Sequence, residues 1–261
     1  MTKKSHDKRS YAGKIIWIIG ASSGIGEALA KELDARGAVL ALSARREDAL
    51  ERLKNSLGDQ HKIFPLDVSD ADIVNQTAQM IRTEFGSIDS LIFLAASYTP
   101  MKLDALDLNI TRQMIEVNLL GAFHTVNAVL PIFKEQTQDE SQNQIALCGS
   151  VAGYVGLPGG QPYSAGKAGI INLAESLRAE LPKTIDVKLI NPGFVRTALT
   201  DKNNFDMPMI ISPEQAGVAI ANGLLKRRFE IHFPKRLTYW LKLLKLLPYK
   251  LSLKILVNFK R

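Results

Sequence analysis

Short runs rich in Ile, Val and Leu recur along the chain, and between them lie longer stretches whose apolar residues return every three or four positions. The short runs, at 14–19, 38–43, 62–66, 90–95, 144–148, 187–190 and 230–233, read as strands. The longer stretches, at 25–36, 46–57, 73–85, 110–133, 163–181 and 213–226, carry the helical period. Strand and helix alternate from the first apolar residues onward, and no internal repeat or composition break marks a second domain. That order predicts one α/β domain over 14–234, a doubly wound and mostly parallel sheet with helices on both faces. In such a sheet ligands bind at the carboxyl ends of the strands.

Composition agrees with one folded domain. With 261 residues, 46% of them hydrophobic, the chain can bury a substantial core, and disorder is excluded as an overall reading. Residues 1–13 form a polar N-terminal segment. Its first ten residues are polar and mixed in charge, with no apolar run until Lys14, so they resemble neither a secretory signal nor a membrane anchor. The expected compartment is the cytoplasm. Cys148 is the one cysteine, which excludes an internal disulfide and a multi-cysteine zinc site. His6, His61, His124 and His232 are scattered, so no metal is expected.

Charge changes the picture at one end. Residues 226–261 hold 11 Lys/Arg against one acid, Glu230, a local balance of +10 in a chain whose total is +7, which leaves the rest at −3. A basic balance confined to a Leu-rich end argues against nucleic acid and points to a membrane surface or an acidic partner.

Directly after the first predicted strand comes Gly20-Ala21-Ser22-Ser23-Gly24-Ile25-Gly26, and a helix follows at once. Glycines let the backbone turn sharply and approach a pyrophosphate, while the N–H groups and positive dipole end of the helix favour its charge. The spacing G-x-x-x-G-x-G resembles that of the short-chain dehydrogenase/reductase family, whose domain is of the Rossmann type. The family's usual Thr before the first glycine is Ile19 here. The resemblance implies a nicotinamide dinucleotide held by Gly20, Ser22, Ser23, Gly24, Ile25 and Gly26. The second strand ends Ser43-Ala44-Arg45-Arg46, with no acid where NAD-specific members bind the ribose 2′-OH. An Asp there would repel a 2′-phosphate, whereas the Arg45 guanidinium can fork onto it, so NADP(H) is the expected cofactor. The bland reading makes Arg45 and Arg46 solvated residues at a helix start. Asp67-Val68 resembles the family's adenine-contacting pair, and Asp67 also suits a helix cap.

Tyr163 and Lys167 stand four apart in a predicted helix, hence on one face. Bringing a tyrosine from its free pKa of about 10 to near 7 takes about 4 kcal/mol. A cation at about 4 Å in an effective dielectric near 20 supplies that much, so Lys167 is expected to acidify Tyr163. Ser150 follows the fifth predicted strand and precedes the Tyr163 helix by a Gly/Pro-rich loop. In the family's pattern Ser holds the substrate carbonyl, Tyr gives it a proton, and Lys also binds the nicotinamide ribose. Ser150, Tyr163 and Lys167 match that pattern, and Asn118 matches the residue that holds a proton-relaying water. Pro192, Gly193, Val195 and Thr197 resemble the family's Pro-Gly turn, with Val195 and Thr197 at the nicotinamide amide. One departure stands out. The family's Asn-Asn-Ala-Gly is Phe93-Leu94-Ala95-Ala96 here, which leaves Ala95 small enough for a cofactor but removes both bracing amides.

The resemblance implies a substrate lid at 198–211, where Phe205, Met207 and Met209 would line a pocket for a hydrophobic carbonyl or alcohol. The same residues also suit a core. In the tail, 235–261, Lys235, Thr238, Lys242 and Lys245 oppose Leu237, Trp240, Leu241, Leu244 and Leu247. After Pro248, Lys250, Lys254 and Asn258 oppose Leu251, Leu253, Ile255, Leu256 and Val257. Frequent charges and the proline exclude a spanning helix. Two amphipathic helices remain, set in the inner face of a membrane, over the chain's own cleft or against a second subunit. The resemblance also implies a homo-oligomer, a dimer or tetramer packed through the long middle helices. The competing reading is a non-catalytic NADP-binding regulator or membrane scaffold, against which the four catalytic matches argue.

Overall fold

The computed structural model of the chain describes residues 11–136, 143–203 and 207–257. Seven strands form one sheet: β1 (Ile15–Ile19), β2 (Val39–Ser43), β3 (Lys62–Ile63), β4 (Ser90–Phe93), β5 (Asn143–Cys148), β6 (Ile185–Pro192) and β7 (Glu230–Phe233). Their spatial order is β3-β2-β1-β4-β5-β6-β7, and every pairing is parallel. The chain winds outward from β1 to β3 and then returns to place β4 on the other side of β1. The reversal opens a crevice beyond the carboxyl ends of β1 and β4.

The unbroken apolar run Ile15-Ile16-Trp17-Ile18-Ile19 reflects helices on both faces of the sheet. Trp17 and Ile19 point to one side and join Val74, Ala78 and Ile81 of α3 (Ala71–Phe85), and residues of α5 (Gly121–Gln136) and α6 (Tyr163–Glu180), in one core. Ile16 and Ile18 point to the other side, where α1 (Gly24–Asp34), α2 (Glu47–Ser56) and α7 (Pro213–Leu224) cover them. The Trp17 indole, fully buried, donates to the Ser43 hydroxyl at 2.9 Å and so meets its one polar need inside the sheet.

Element edges follow the pairing. The strand expected at 62–66 shortens to Lys62–Ile63 because only β2 flanks it, although Phe64 and Leu66 still donate to Leu42 and Ala44. β6 runs longer than the expected 187–190 because β5 and β7 pair with it on both sides. The long middle helix is α4 (Leu108–Ile115), a π-helical turn (Glu116–Leu120) and α5, continuous over 29 residues. By length and composition it could cross a membrane, but half of its apolar 18-residue window is buried within the fold.

The tail forms two helices, α8 (Lys235–Leu246) and α9 (Tyr249–Val257), and their rotation differs from the sequence expectation. Thr238, expected on the lysine face, is fully buried, and its hydroxyl lies 2.6 Å from Nδ1 of His232. Trp240, expected on the apolar side opposite the lysines, is 42% exposed. Lys242 is drawn inward to form an ion pair with Glu230 on β7. These two contacts to β7 set the phase of α8, and no pattern local to the helix contains them. Leu237, Leu241, Leu244 and Leu256 thereby join the main core. Asn258 lies outside the described residues.

Candidate active site

A cleft of about 440 Å³ opens at the β1/β4 crevice, within the range of small-molecule sites. Its floor is the glycine turn. Gly20 has φ +92, and a Cβ there would meet the Ala95 backbone nitrogen at 2.7 Å, so this turn lies against the segment after β4. A Cβ on Gly26 would sit 2.0 Å from the Gly20 carbonyl oxygen. Gly24, with φ +59, begins α1 and lies under Thr197. Ser23 precedes the helix in extended conformation without a side-chain cap, leaving the first N–H groups directed at the cleft rim. Gly20, Ser22, Ser23, Gly24, Ile25 and Gly26 all line the cleft, so this cradle fits the diphosphate of a dinucleotide.

Arg45 and Arg46 line the same cleft beyond β2. The Arg46 guanidinium donates to the Ser22 carbonyl and hydroxyl oxygens, both at 3.2 Å, which ties the end of β2 to the glycine turn. Asp67 and Val68 form the neighbouring wall. The helix cap suggested for Asp67 falls instead to Asp70, which accepts from Asp72 and Ile73 at the start of α3. Asp67 accepts from the Ser69 backbone N–H and hydroxyl at 3.0 and 2.7 Å. Burial pushes its carboxyl up, but these bonds and the charge of Arg45 prevail and hold it below the usual carboxylate range.

The missing amides after β4 have a local substitute. Phe93 is fully buried in the core, and Ala95 and Ala96 line the cleft. Asn118, in the π-helical turn, accepts from Ser97 N–H at 2.8 Å and donates to the Ser97 carbonyl at 2.7 Å. Its amide is thus occupied in pinning the strand's continuation and does not line the cleft. A π-turn of this kind is frequent at functional sites.

Ser150, Tyr163 and Lys167 meet at the far end of the cleft. Ser150 sits just past β5, extended, where its hydroxyl accepts from Ala152 N–H at 3.1 Å. Tyr163 opens α6, with the Ser150 hydroxyl near its phenol. Lys167, one turn on, is 1% exposed, with Nζ 5.6 Å from the Tyr163 ring centroid and donating to the Cys148 carbonyl at 2.8 Å. The expected acidification of Tyr163 is not found. Burial, with the Cys148 thiol adding to it, pushes the phenol above its ordinary value, and the nearby Ser150 hydroxyl only partly offsets this. Burial also pulls the Lys167 ammonium below its ordinary value. Desolvation opposes charge on both groups. Tyr163 therefore keeps its proton at neutral pH.

The last wall is the turn after β6. Pro192, Gly193, Val195 and Thr197 line the cleft, and Val195 bridges to Ile211. Of the segment expected as a lid, Ala198, Leu199 and Thr200 face the cleft. Met209 is 46% exposed with φ 58, and neither it nor Met207 lines this cleft. Phe205 lies outside the described residues. Asn203 bonds the Tyr98 hydroxyl at 2.9 Å, Lys202 donates to the Tyr98 carbonyl, and the Tyr98 ring stands edge-on to Tyr163 at 5.2 Å.

Several cleft residues escaped the sequence reading. Thr200 accepts from Thr197 N–H at 2.9 Å and donates to the Val195 carbonyl at 2.8 Å, closing the turn. Its hydroxyl three residues after Thr197 was the available cue. Cys148 contributes its carbonyl and gave no cue beyond its place before Ser150. Among the described residues, no group of three or more His, Cys, Asp or Glu is placed to hold a metal ion.

The description short chain dehydrogenase matches residues 14–208. An uncharacterized oxidoreductase of Myxococcus xanthus is 32% identical over 235 residues, covering 88% of this chain and 91% of that protein. One from Staphylococcus aureus is 32% identical over 213 residues, covering 81% and 90%. Among solved structures, a short chain dehydrogenase/reductase of Burkholderia phymatum in complex with NAD superposes with TM-score 0.83 at 23% identity, covering 90% of this chain and 94% of that one. A 3-ketoacyl-(acyl-carrier-protein) reductase of Brucella melitensis complexed with NADH gives TM-score 0.79 at 23% identity, covering 86% and 98%. These two share the fold, and the sequence matches span most of the chain, including the glycine turn and the Tyr163–Lys167 helix. The chain belongs to the short chain dehydrogenase family.

Proposed function

We propose that this chain is an NADP(H)-dependent oxidoreductase that interconverts an apolar carbonyl and its secondary alcohol, with Tyr163 as the acid/base. Family membership supports an enzyme acting on CH–OH or C=O groups. The observation that carries the finer reading is the meeting of Ser150, Tyr163 and Lys167 in one cleft with a glycine cradle only backbone can fill. A non-catalytic binder is not favoured, since it has no use for a buried phenol and ammonium at the cleft end.

Gly20–Gly26 would hold a nicotinamide dinucleotide, which would supply the hydride. The chain's own residues handle the proton. Ser150 hydrogen-bonds the substrate oxygen, and Tyr163, protonated because it is buried, donates to that oxygen as negative charge develops there. The Lys167 ammonium, fixed by the Cys148 carbonyl, stabilises the phenolate left behind. Asn118 positions this end of the site through Ser97. The homo-oligomer implied by resemblance belongs to the same proposal, and Leu108, Leu120 and Phe123 on the long middle helix are exposed.

The preference for NADP(H) rests on Arg45 and Arg46, which line the cleft with no acid between the end of β2 and Arg45. Charge-assisted bonds to a 2′-phosphate are worth about 1.5–3 kcal/mol each. On a panel of apolar aldehydes and ketones, kcat/KM with NADPH should exceed that with NADH at least tenfold, and Arg45→Asp should shift the ratio toward NADH by about a hundredfold. Equal use of both cofactors by the parent chain would remove the NADP(H) assignment. No oxidation of either cofactor with any carbonyl would remove the enzyme.

A further inference from the structure

We propose that the solvent-facing side of α8 and α9 docks this chain onto an anionic lipid bilayer. The two helices have divided their apolar residues. Leu237, Leu241, Leu244 and Leu256 pack into the core and fix the tail to the body. Tyr239, Leu243 and Leu246, at i, i+4 and i+7 on α8, all face solvent. On α9, Tyr249, Leu253 and Val257, at i, i+4 and i+8, do the same. Leu246 and Tyr249, on either side of Pro248, are 81% and 84% exposed. Soluble proteins seldom leave so many large apolar side chains exposed on two consecutive short helices without a use for them.

Charge selects the occupant. Lys235, Arg236, Lys242, Lys245, Lys250 and Lys254 lie within 235–257, which contains no acid. Apart from Lys242, which Glu230 neutralises, they surround the stripe on flexible stems able to reach headgroups while the apolar side chains enter the acyl boundary. A second copy joined through the same face would set like charges against each other, which disfavours self-pairing. Tyr239 and Tyr249 suit the headgroup level. At 12 and 9 residues the helices are far short of a span of about 20, so the contact is peripheral. Docking requires no unfolding, because the packed face of the tail stays in the core.

The test is flotation of the full chain with phosphatidylcholine vesicles, with and without phosphatidylglycerol. The parent chain should float with the anionic vesicles, at least tenfold better than with neutral ones, and lose that binding at high salt. Leu246→Glu/Tyr249→Glu should lower flotation at least tenfold while its melting temperature stays that of the parent, since both side chains are exposed. Lys250→Glu/Lys254→Glu should do the same through charge alone. No flotation of the parent with anionic vesicles would overturn the proposal, as would undiminished flotation of either variant. A change in sedimentation of the stripe variant, with no flotation of the parent, would assign the face to a protein contact instead.

Discussion

Tyr163→Phe is expected to lower kcat for carbonyl reduction by about a thousandfold while leaving cofactor affinity and folding unchanged. A positioned general acid contributes roughly 10²- to 10⁴-fold, and this phenol is the group at the cleft end whose proton burial retains at neutral pH. Phe keeps the ring that stands edge-on to Tyr98 at 5.2 Å and the face that Lys167 approaches. The hydroxyl's neighbour, Ser150, still accepts from Ala152. Steady-state rates with a responsive carbonyl, beside a melting curve and an NADPH titration, separate the chemical effect from a structural one. A loss under tenfold would move the proton to another group.

Gly26→Ala is expected to abolish measurable dinucleotide binding and to destabilise the fold by about 3 kcal/mol, the upper end of an overpacking cost. The added methyl would lie 2.0 Å from the Gly20 carbonyl oxygen and 3.1 Å from the Ala21 Cα. Both are backbone, so no side chain can turn aside. Gly20 cannot retreat either, because it already abuts Ala95 and Leu94. The turn must open or α1 must shift, and either movement takes the helix N-terminus away from its ligand. For a domain of this size that cost corresponds to a fall in Tm of roughly 6–12 °C. Gly156→Ala is the control: its Cβ would meet nothing within 4 Å, and its melting temperature and binding should match the parent's.

The parts of the molecule legible in sequence were those with local grammar. The apolar run of β1, the glycine turn directly after it and the four-residue spacing of Tyr163 and Lys167 each put their information within a few residues. The residues proposed for the cofactor all line the cleft for that reason. What escaped depended on distant partners or on burial. The rotation of α8 is set by Glu230 and His232 on β7, and a helical wheel drawn for the tail alone misplaces Thr238. Asn118 serves Ser97, 21 residues away, in a place where the lost Asn-Asn pair suggested an unbraced sheet. The direction of the Tyr163 shift was misjudged because the pair spacing gives the attraction but not the desolvation that opposes it. In the segment expected as a lid, the Thr200 hydroxyl bonds to Thr197 N–H and the Val195 carbonyl, and Leu199 and Thr200 line the cleft, contacts that the apolar residue types there gave no sign of.

The central claim is that a nicotinamide dinucleotide seats on the Gly20–Gly26 turn within reach of a protonated Tyr163. Titrating NADPH into the full chain and following nicotinamide fluorescence tests it most directly. The account predicts saturable binding well below about 1 mM, in the ordinary range for an enzyme's ligand. The absence of saturable binding by the folded parent chain near that concentration would contradict it.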